Sequence, residues 1–360
     1  MGTGQIENRS SSFESLARIL SFISIILITL FVTSLLILPF GLNPLVVFWE
    51  LIKSGLGSLK ALTYSINIMT PIFFAGIAAL FAFRSGVWNI GQEGQLLMGA
   101  VGATFIGVSI SGIPSFLHLI MIFIASVLCG SIWAAVPGIL KVKFKANEII
   151  TTLLMNFIAI GLTSYLVNHP MRGADAVGPR SDMIGATAKL PSFTIGGWQT
   201  PHVGILIAIV VAIAVSFILK RTVLGYRVKS VGVNPETAYY GGIPTSKIVV
   251  TSMFISGGIA GLAGMSQVSG VVYLLTAEGI SFNYGYFGIL VALIGKLNIR
   301  GVAVAAFVIG VLLNGGRSIQ TTLDISSTMV IITIAIFTLS LLLREPIERG
   351  IMARIMKKKG

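Results

Sequence analysis

Long apolar runs alternate with short polar breaks along nearly the whole chain. Runs with the length and character of a bilayer-crossing helix, about 20 mostly apolar residues, fall at 18–38, 60–83, 87–111, 115–140, 148–168, 202–219, 245–270, 284–296, 301–316 and 328–343. The pattern predicts an all-α integral membrane protein with about ten transmembrane helices. The eighth and ninth runs are short for a straight crossing and are expected to be tilted, broken or partly re-entrant. The first run ends at Pro39 with no small-residue cleavage site, which reads as an uncleaved anchor.

Composition narrows the class. The chain is 55% hydrophobic and only 10% charged, whereas soluble domains carry roughly a quarter charged residues. Its net charge of +13 comes from short basic clusters between the runs. They lack the aromatic interleaving of a nucleic-acid surface, so no nucleic-acid partner is expected. Membrane lipid is the expected surroundings, and the clusters set orientation by the positive-inside rule. A cytoplasmic N-terminus leaves only Lys53, Lys60, Arg172, Arg180, Lys189 and Arg317 of the 25 basic residues outside. Ten spans then place both termini in the cytoplasm. This divides the chain into a cytoplasmic tail (1–17), a membrane domain (18–343) and a basic tail (344–360). Within the membrane domain, 169–201 is an external loop and 220–244 a cytoplasmic one.

The residues give no enzyme. His118, His169 and His202 are scattered, and no nucleophile–base pair or metal-ligand cluster appears. His118 reads as an interfacial side chain reaching toward the membrane surface. The lone Cys129 excludes disulfides and cysteine-based metal sites within the chain.

The inner loop carries a helix signal. Asn234 suits an N-cap, Pro235 the first turn, and Glu236 the positive end of the dipole. Gly241 and Gly242 end the helix and Pro244 forbids its continuation. The prediction is a short cytoplasmic helix lying across the membrane, its exposed face bearing Ala238 and Tyr239 or Tyr240. Such a face suits insertion into a groove on another protein; a self-packed surface helix is the alternative.

Polar residues also interrupt the apolar runs. The stretch Arg84–Gln95, RSGVWNIGQEGQ, holds Trp88, Asn89, Gln92, Glu93 and Gln95. Its N-x-G-x-x-G pattern, Asn89 to Gly94, echoes at Asn283 to Gly288, and each copy opens a span. The predicted topology runs those spans in opposite directions, as an inverted repeat requires. A carboxylate inside a bundle demands a partner or water, and the amides offer donors and acceptors that solute hydroxyls and purine edges need. Thr152 and Asn156 share a helix face; Asn67 and Thr70 precede a kink expected at Pro71. These groups either line a solute pathway or cap a broken helix and hold its neighbours together. GGIAGLAG, 257–264, reads as a helix-packing face.

The loop pattern G-x-N-P-x-x-A-x-x-x-G-I, with Gly232, Asn234, Pro235, Ala238, Gly242 and Ile243, resembles the coupling segment of ABC-importer permeases. The resembling group serves branched-chain amino acids, ribose and nucleosides. FRSGVWNIGQEGQLLMGA and ANEIITTLLMNFIA are similar to stretches of its nucleoside (basic-membrane-protein-linked) branch. The resemblance implies a permease subunit in a bacterial cytoplasmic membrane, translocating a small polar solute, with a nucleoside expected first. It further implies a second permease subunit, an extracytoplasmic substrate-binding lipoprotein, and a cytoplasmic ATPase docking at Gly232 to Ile243, Tyr239 included. ATP and magnesium belong to that ATPase, and no cofactor is expected in this chain. Gly288 to Lys296, GILVALIGK, fails as a P-loop in both glycine spacing and the following Leu297. The competing reading is an ion-coupled secondary transporter with Glu93 as carrier; the coupling segment argues against it. Simple sugars and branched-chain amino acids are the alternative solutes.

Overall fold

A computed structural model describes residue 20 and residues 23–342, except 196, 277, 278, 324, 325 and 327. The tails expected at 1–17 and 344–360 lie outside the described residues. The structure is nearly all helical: α1 (Ile23–Phe40), α2 (Pro44–Leu56), α3 (Leu59–Phe83), α4 (Gln92–Ser109), α5 (Ser115–Phe144), α6 (Glu148–Asn168), α7 (Gly204–Arg221), α8 (Val223–Val233), α9 (Pro235–Tyr240), α10 (Thr245–Gln267), α11 (Tyr284–Ile294), α12 (Ile299–Thr322) and α13 (Thr328–Leu342). A two-residue hairpin, β1 (Thr194–Ile195) and β2 (Trp198–Gln199), sits between α6 and α7.

Among the described residues, seven helices are long and apolar enough to cross a membrane: α1, α3, α5, α6, α7, α10 with its π-turn extension to Val272, and α12. The other three predicted runs hold α4, α11 and α13, which are more polar or shorter. The ninth run proves longer than expected, a 24-residue helix. The eighth proves as short as expected, at 11 residues. Two helices were not foreseen. Helix α2 starts where Asn43 caps Leu45 N–H and Pro44 presets the first turn. Helix α8 starts where the Thr222 hydroxyl accepts from Gly225 N–H.

Two compact units are present. Within the one formed by the described residues of 1–57 and 312–360, the Asn314 amide donates to Ser54 O at 3.3 Å, and Gly316 packs on Val330. The other unit, Ser58–Val311, has α3 and α10 at its centre; over three quarters of each apolar window is buried. The GGIAGLAG face lets α10 approach both neighbours backbone to backbone. A Cβ at Gly257 would strike Gly130 O and Ala134 of α5, and one at Gly264 would strike Leu96 O of α4. Between membrane helices, where lipid is as apolar as leucine, such close contact is the main source of association.

The segment 169–201 is folded onto this unit. Ser181 and Ile184 N–H donate to Leu275 and Tyr273 O, and Gly185 and Leu190 N–H to Gly107 and Ser269 O. This corrects the expectation for His118. It is fully buried, with Nδ1 2.9 Å from Thr187 Oγ1 and Nε2 3.2 Å from Ile106 O. The ring is covered because the loop closes over the helix ends, which an apolar run around His118 does not reveal.

Candidate functional site: a polar junction inside the bundle

The third apolar run begins as a helix only at Gln92; residues 87–91 form a non-helical entry. An open backbone inside a bundle must find partners within the protein. Helix α6 supplies them from one stripe, with Glu148, Thr152 and Asn156 at i, i+4 and i+8. The Trp88 N–H bonds to Glu148, and Ile90 N–H to the Thr152 hydroxyl at 3.1 Å. Asn156 bridges the entry: its Oδ1 accepts from Gly94 N–H at 2.8 Å and its Nδ2 donates to Ile90 O at 2.9 Å. Glu148 also pairs with Lys141, closing the α5–α6 turn.

Asn89 is the hub of the entry itself. Its Oδ1 accepts from Gly91 N–H and from Gln95 Nε2, each at 2.9 Å. Its Nδ2 donates to Gln95 Oε1 at 3.1 Å and Ser256 Oγ at 3.0 Å. Ser256 in turn donates to Ala78 O on α3. Asn89, Gln95, Thr152, Asn156 and Ser256 are all fully buried or nearly so, and each has its partners within the protein.

Glu93 does something different. Its carboxylate accepts from Gly285 N–H at 2.8 Å, with the Ser281 side chain and the N–H groups of Asn283 and Tyr286 also bonded to it. The three N–H groups are donors left unsatisfied at the start of α11, and the Glu93 side chain takes them up. Gly285 lies directly on the Glu93 and Gln92 backbone. The first turns of α4 and α11 therefore meet. Gly288 abuts Ala75, eight residues before the end of α3 and about 12 Å along it. Helix α11 thus begins at depth, and its 11 residues span about 17 Å, far short of a hydrocarbon core of about 30 Å. From there it runs back toward Arg84, whose guanidinium donates to Leu297 O at 2.7 Å, whereas α4 runs away from it. The two N-x-G-x-x-G copies open helices of opposite direction. The echo is incomplete: Asn89 lies two residues before the N-cap Gly91 and accepts from its N–H, whereas Asn283 is itself the N-cap of α11, makes no side-chain cap and holds φ +63°.

Three expected site residues lie elsewhere in the arrangement. Gln92 is fully buried with neither side-chain atom partnered. Trp88 is half exposed, its ring tilted on Phe83 at 4.8 Å between centroids, away from the amides. Asn67 sits far up α3, where its Oδ1 accepts from His202 N–H at 3.3 Å. There Thr63, Tyr64, Asn67, Trp198, His202 and Tyr273 line a cavity of about 510 Å³. His202 Nδ1 accepts from Gly204 N–H, so the neutral ring carries its proton on Nε2, which has no partner. Burial pushes the His202 pKa down to about 4. Glu148, Ser256, Ser281 and Tyr286 escaped sequence reasoning. Glu148 alone carried a signal, one turn before Thr152 on the same stripe.

The 220–244 segment holds α9 where a short helix is expected. Asn234 Oδ1 accepts from Glu236 and Thr237 N–H, Gly241 ends the helix and Gly242 follows at φ +79°. One expectation needs correction: Ala238 is buried, and the exposed face is made by Tyr239 and Tyr240. A six-residue helix turned down on α8 and α10 presents its smallest residue to them. Helix α8 lies against the polar entry. A Cβ on Gly232 would fall on Arg84 O, and Gly86, at φ +73°, faces Gly232 backbone.

Comparison with known proteins gives the family. Residues 61–339 match the family described as branched-chain amino acid transport system / permease component. The guanosine ABC transporter permease protein NupP of Bacillus subtilis (strain 168) is 34% identical over 84% of this chain and 86% of its own. The nucleoside ABC transporter permease protein NupB of Lactococcus lactis subsp. cremoris is 27% identical over 78% and 79%. The glucose ABC transporter permease protein TsgB13 of Haloferax volcanii is 31% identical over 88% and 83%. No solved structure matches.

Proposed function

Because the chain belongs to the branched-chain amino acid transport system / permease component family, we propose that it is the nucleoside-translocating permease subunit of an ABC importer in the cytoplasmic membrane. The supporting observation is the likeness to the guanosine permease over most of both chains. The family's transport components are not enzymes, and ATP hydrolysis with its magnesium is assigned to a separate cytoplasmic ATPase. A second permease subunit and an extracytoplasmic substrate-binding lipoprotein complete the assembly.

In this reading α9 is the docking point for the ATPase, through Tyr239 and Tyr240. Movement there passes along α8 to the Gly232–Gly86 contact, and so to the entry that α6 holds against the start of α11. Glu93 and the amides act chiefly as the fastening of that junction, and buried, unpartnered Gln92 is the member free to meet a solute.

A glucose permease among the relatives gives a second reading, a sugar importer. Uptake of radiolabelled guanosine and glucose, compared in a strain lacking this gene and in one with it restored, separates the two. Guanosine uptake restored with glucose unaffected supports the nucleoside reading; the reverse overturns it.

A further inference from the structure

Arg84, Lys220, Lys229 and Arg300 come from four separate stretches of chain and converge on the mouth of one cavity between α3, α7 and α12. Among the described residues, ion pairs join Lys53 to Glu50 and Lys141 to Glu148; none neutralises these four cations. Behind the mouth the wall is apolar, with Phe73, Ile213 and Phe307 among its residues. The cavity measures about 800 Å³. From Ile299 to Phe307 on α12 it extends about 12 Å, most of the depth of one leaflet, about 15 Å.

We propose that this groove is a binding site for one anionic phospholipid, its phosphate held by the four cations and an acyl chain lying along the apolar wall. A hydrated solute would leave that wall without use, and a small free anion would need none of it. Under the positive-inside orientation the mouth opens at the cytoplasmic leaflet, where anionic lipid is encountered. Lys229 belongs to α8 and Arg84 caps the end of α3 just before the polar entry, so the headgroup bridges the coupling segment to the approach to the junction. The site does not depend on which solute the permease carries.

The test uses the full-length permease, equilibrated in bilayers of equal phosphatidylglycerol and phosphatidylcholine and then extracted gently. Lipid retained per protein is measured by mass spectrometry. Wild type should retain phosphatidylglycerol over phosphatidylcholine by about tenfold. Lys229→Gln with Arg300→Gln should bring the two close to parity, while Lys143→Gln with Lys145→Gln, remote from the groove, should not. Ile213→Trp, which fills the apolar wall without changing charge, should also lower retention. Equal retention of both lipids by wild type overturns the proposal. An equal fall in the Lys143/Lys145 variant, or displacement of phosphatidylglycerol by millimolar inorganic phosphate alone, overturns it as well.

Discussion

Asn156 shows how one side chain holds a backbone that has no water to turn to. Replacing it by leucine orphans the Gly94 N–H and removes a donor from Ile90 O, at about 1–3 kcal/mol for each buried group left unpaired. Asn156→Leu should therefore lower the thermal midpoint of the detergent-solubilised protein by several degrees, more than Thr152→Val, which removes one acceptor. Equal midpoints for wild type and Asn156→Leu would refute the bridging role. His202 makes a pH prediction. Folded, it gains a proton only near 4; unfolded, it does so near 6.5. Between those values the unfolded chain binds more protons, so stability is full above about 6.5 and falls as pH drops toward 4. The loss is on the order of 3 kcal/mol for a side chain this buried. His202→Asn, which keeps an acceptor for Gly204 N–H but does not titrate, should flatten a midpoint-against-pH curve through that window. At this scale the sequence exposed the polar residues but not their partners. Thr152 and Asn156 were visible as a stripe, whereas Glu93 meeting Gly285, 192 residues on, was visible only as a repeated pattern.

Elements were more legible than contacts, because hydropathy and capping are local. The ten apolar runs each hold a helix, and Asn234–Pro235 placed α9 to the residue. Helix α2 went unseen because Glu50 and Lys53 interrupt the apolar character of its 13 residues, and α8 because its mixed composition has no long apolar face. Burial of Ala238 was also out of reach, since a six-residue helix declares no inner side until its neighbours are in place. That correction changes which variants probe coupling. Tyr240→Glu alters an exposed residue and should leave the amount of protein in the membrane unchanged. Solute uptake should fall by about tenfold or more, as for an interface aromatic, and undiminished uptake would remove α9 from the docking role. Gly261→Leu differs in kind. Its Cβ would land on Ser126 O, so the variant should fail to accumulate in the membrane at all, as read by immunoblot of membrane fractions.

For the whole molecule, the sequence established the class, an integral membrane permease, through hydropathy and the family motifs. It could not place the closed loop 169–201 or bring the two helix starts together, because both depend on contacts far apart in the chain. Glu93→Gln tests how much rides on that meeting. The amide keeps one acceptor for Gly285 N–H but turns an NH2 group toward the other donors at the start of α11, so uptake should drop while the amount of protein in the membrane is unchanged. Uptake kinetics identical to wild type would exclude Glu93 from the working junction. The meeting of Gly86 with Gly232 has a mechanical meaning of its own. Most joints between helices are cushioned by side chains that can swing into another rotamer and absorb a displacement. Here main chain rests on main chain, with no side chain between them to take up a displacement; in the coupling proposed above, a shift along α8 meets Gly86 without that cushion, and the same holds in the reverse direction.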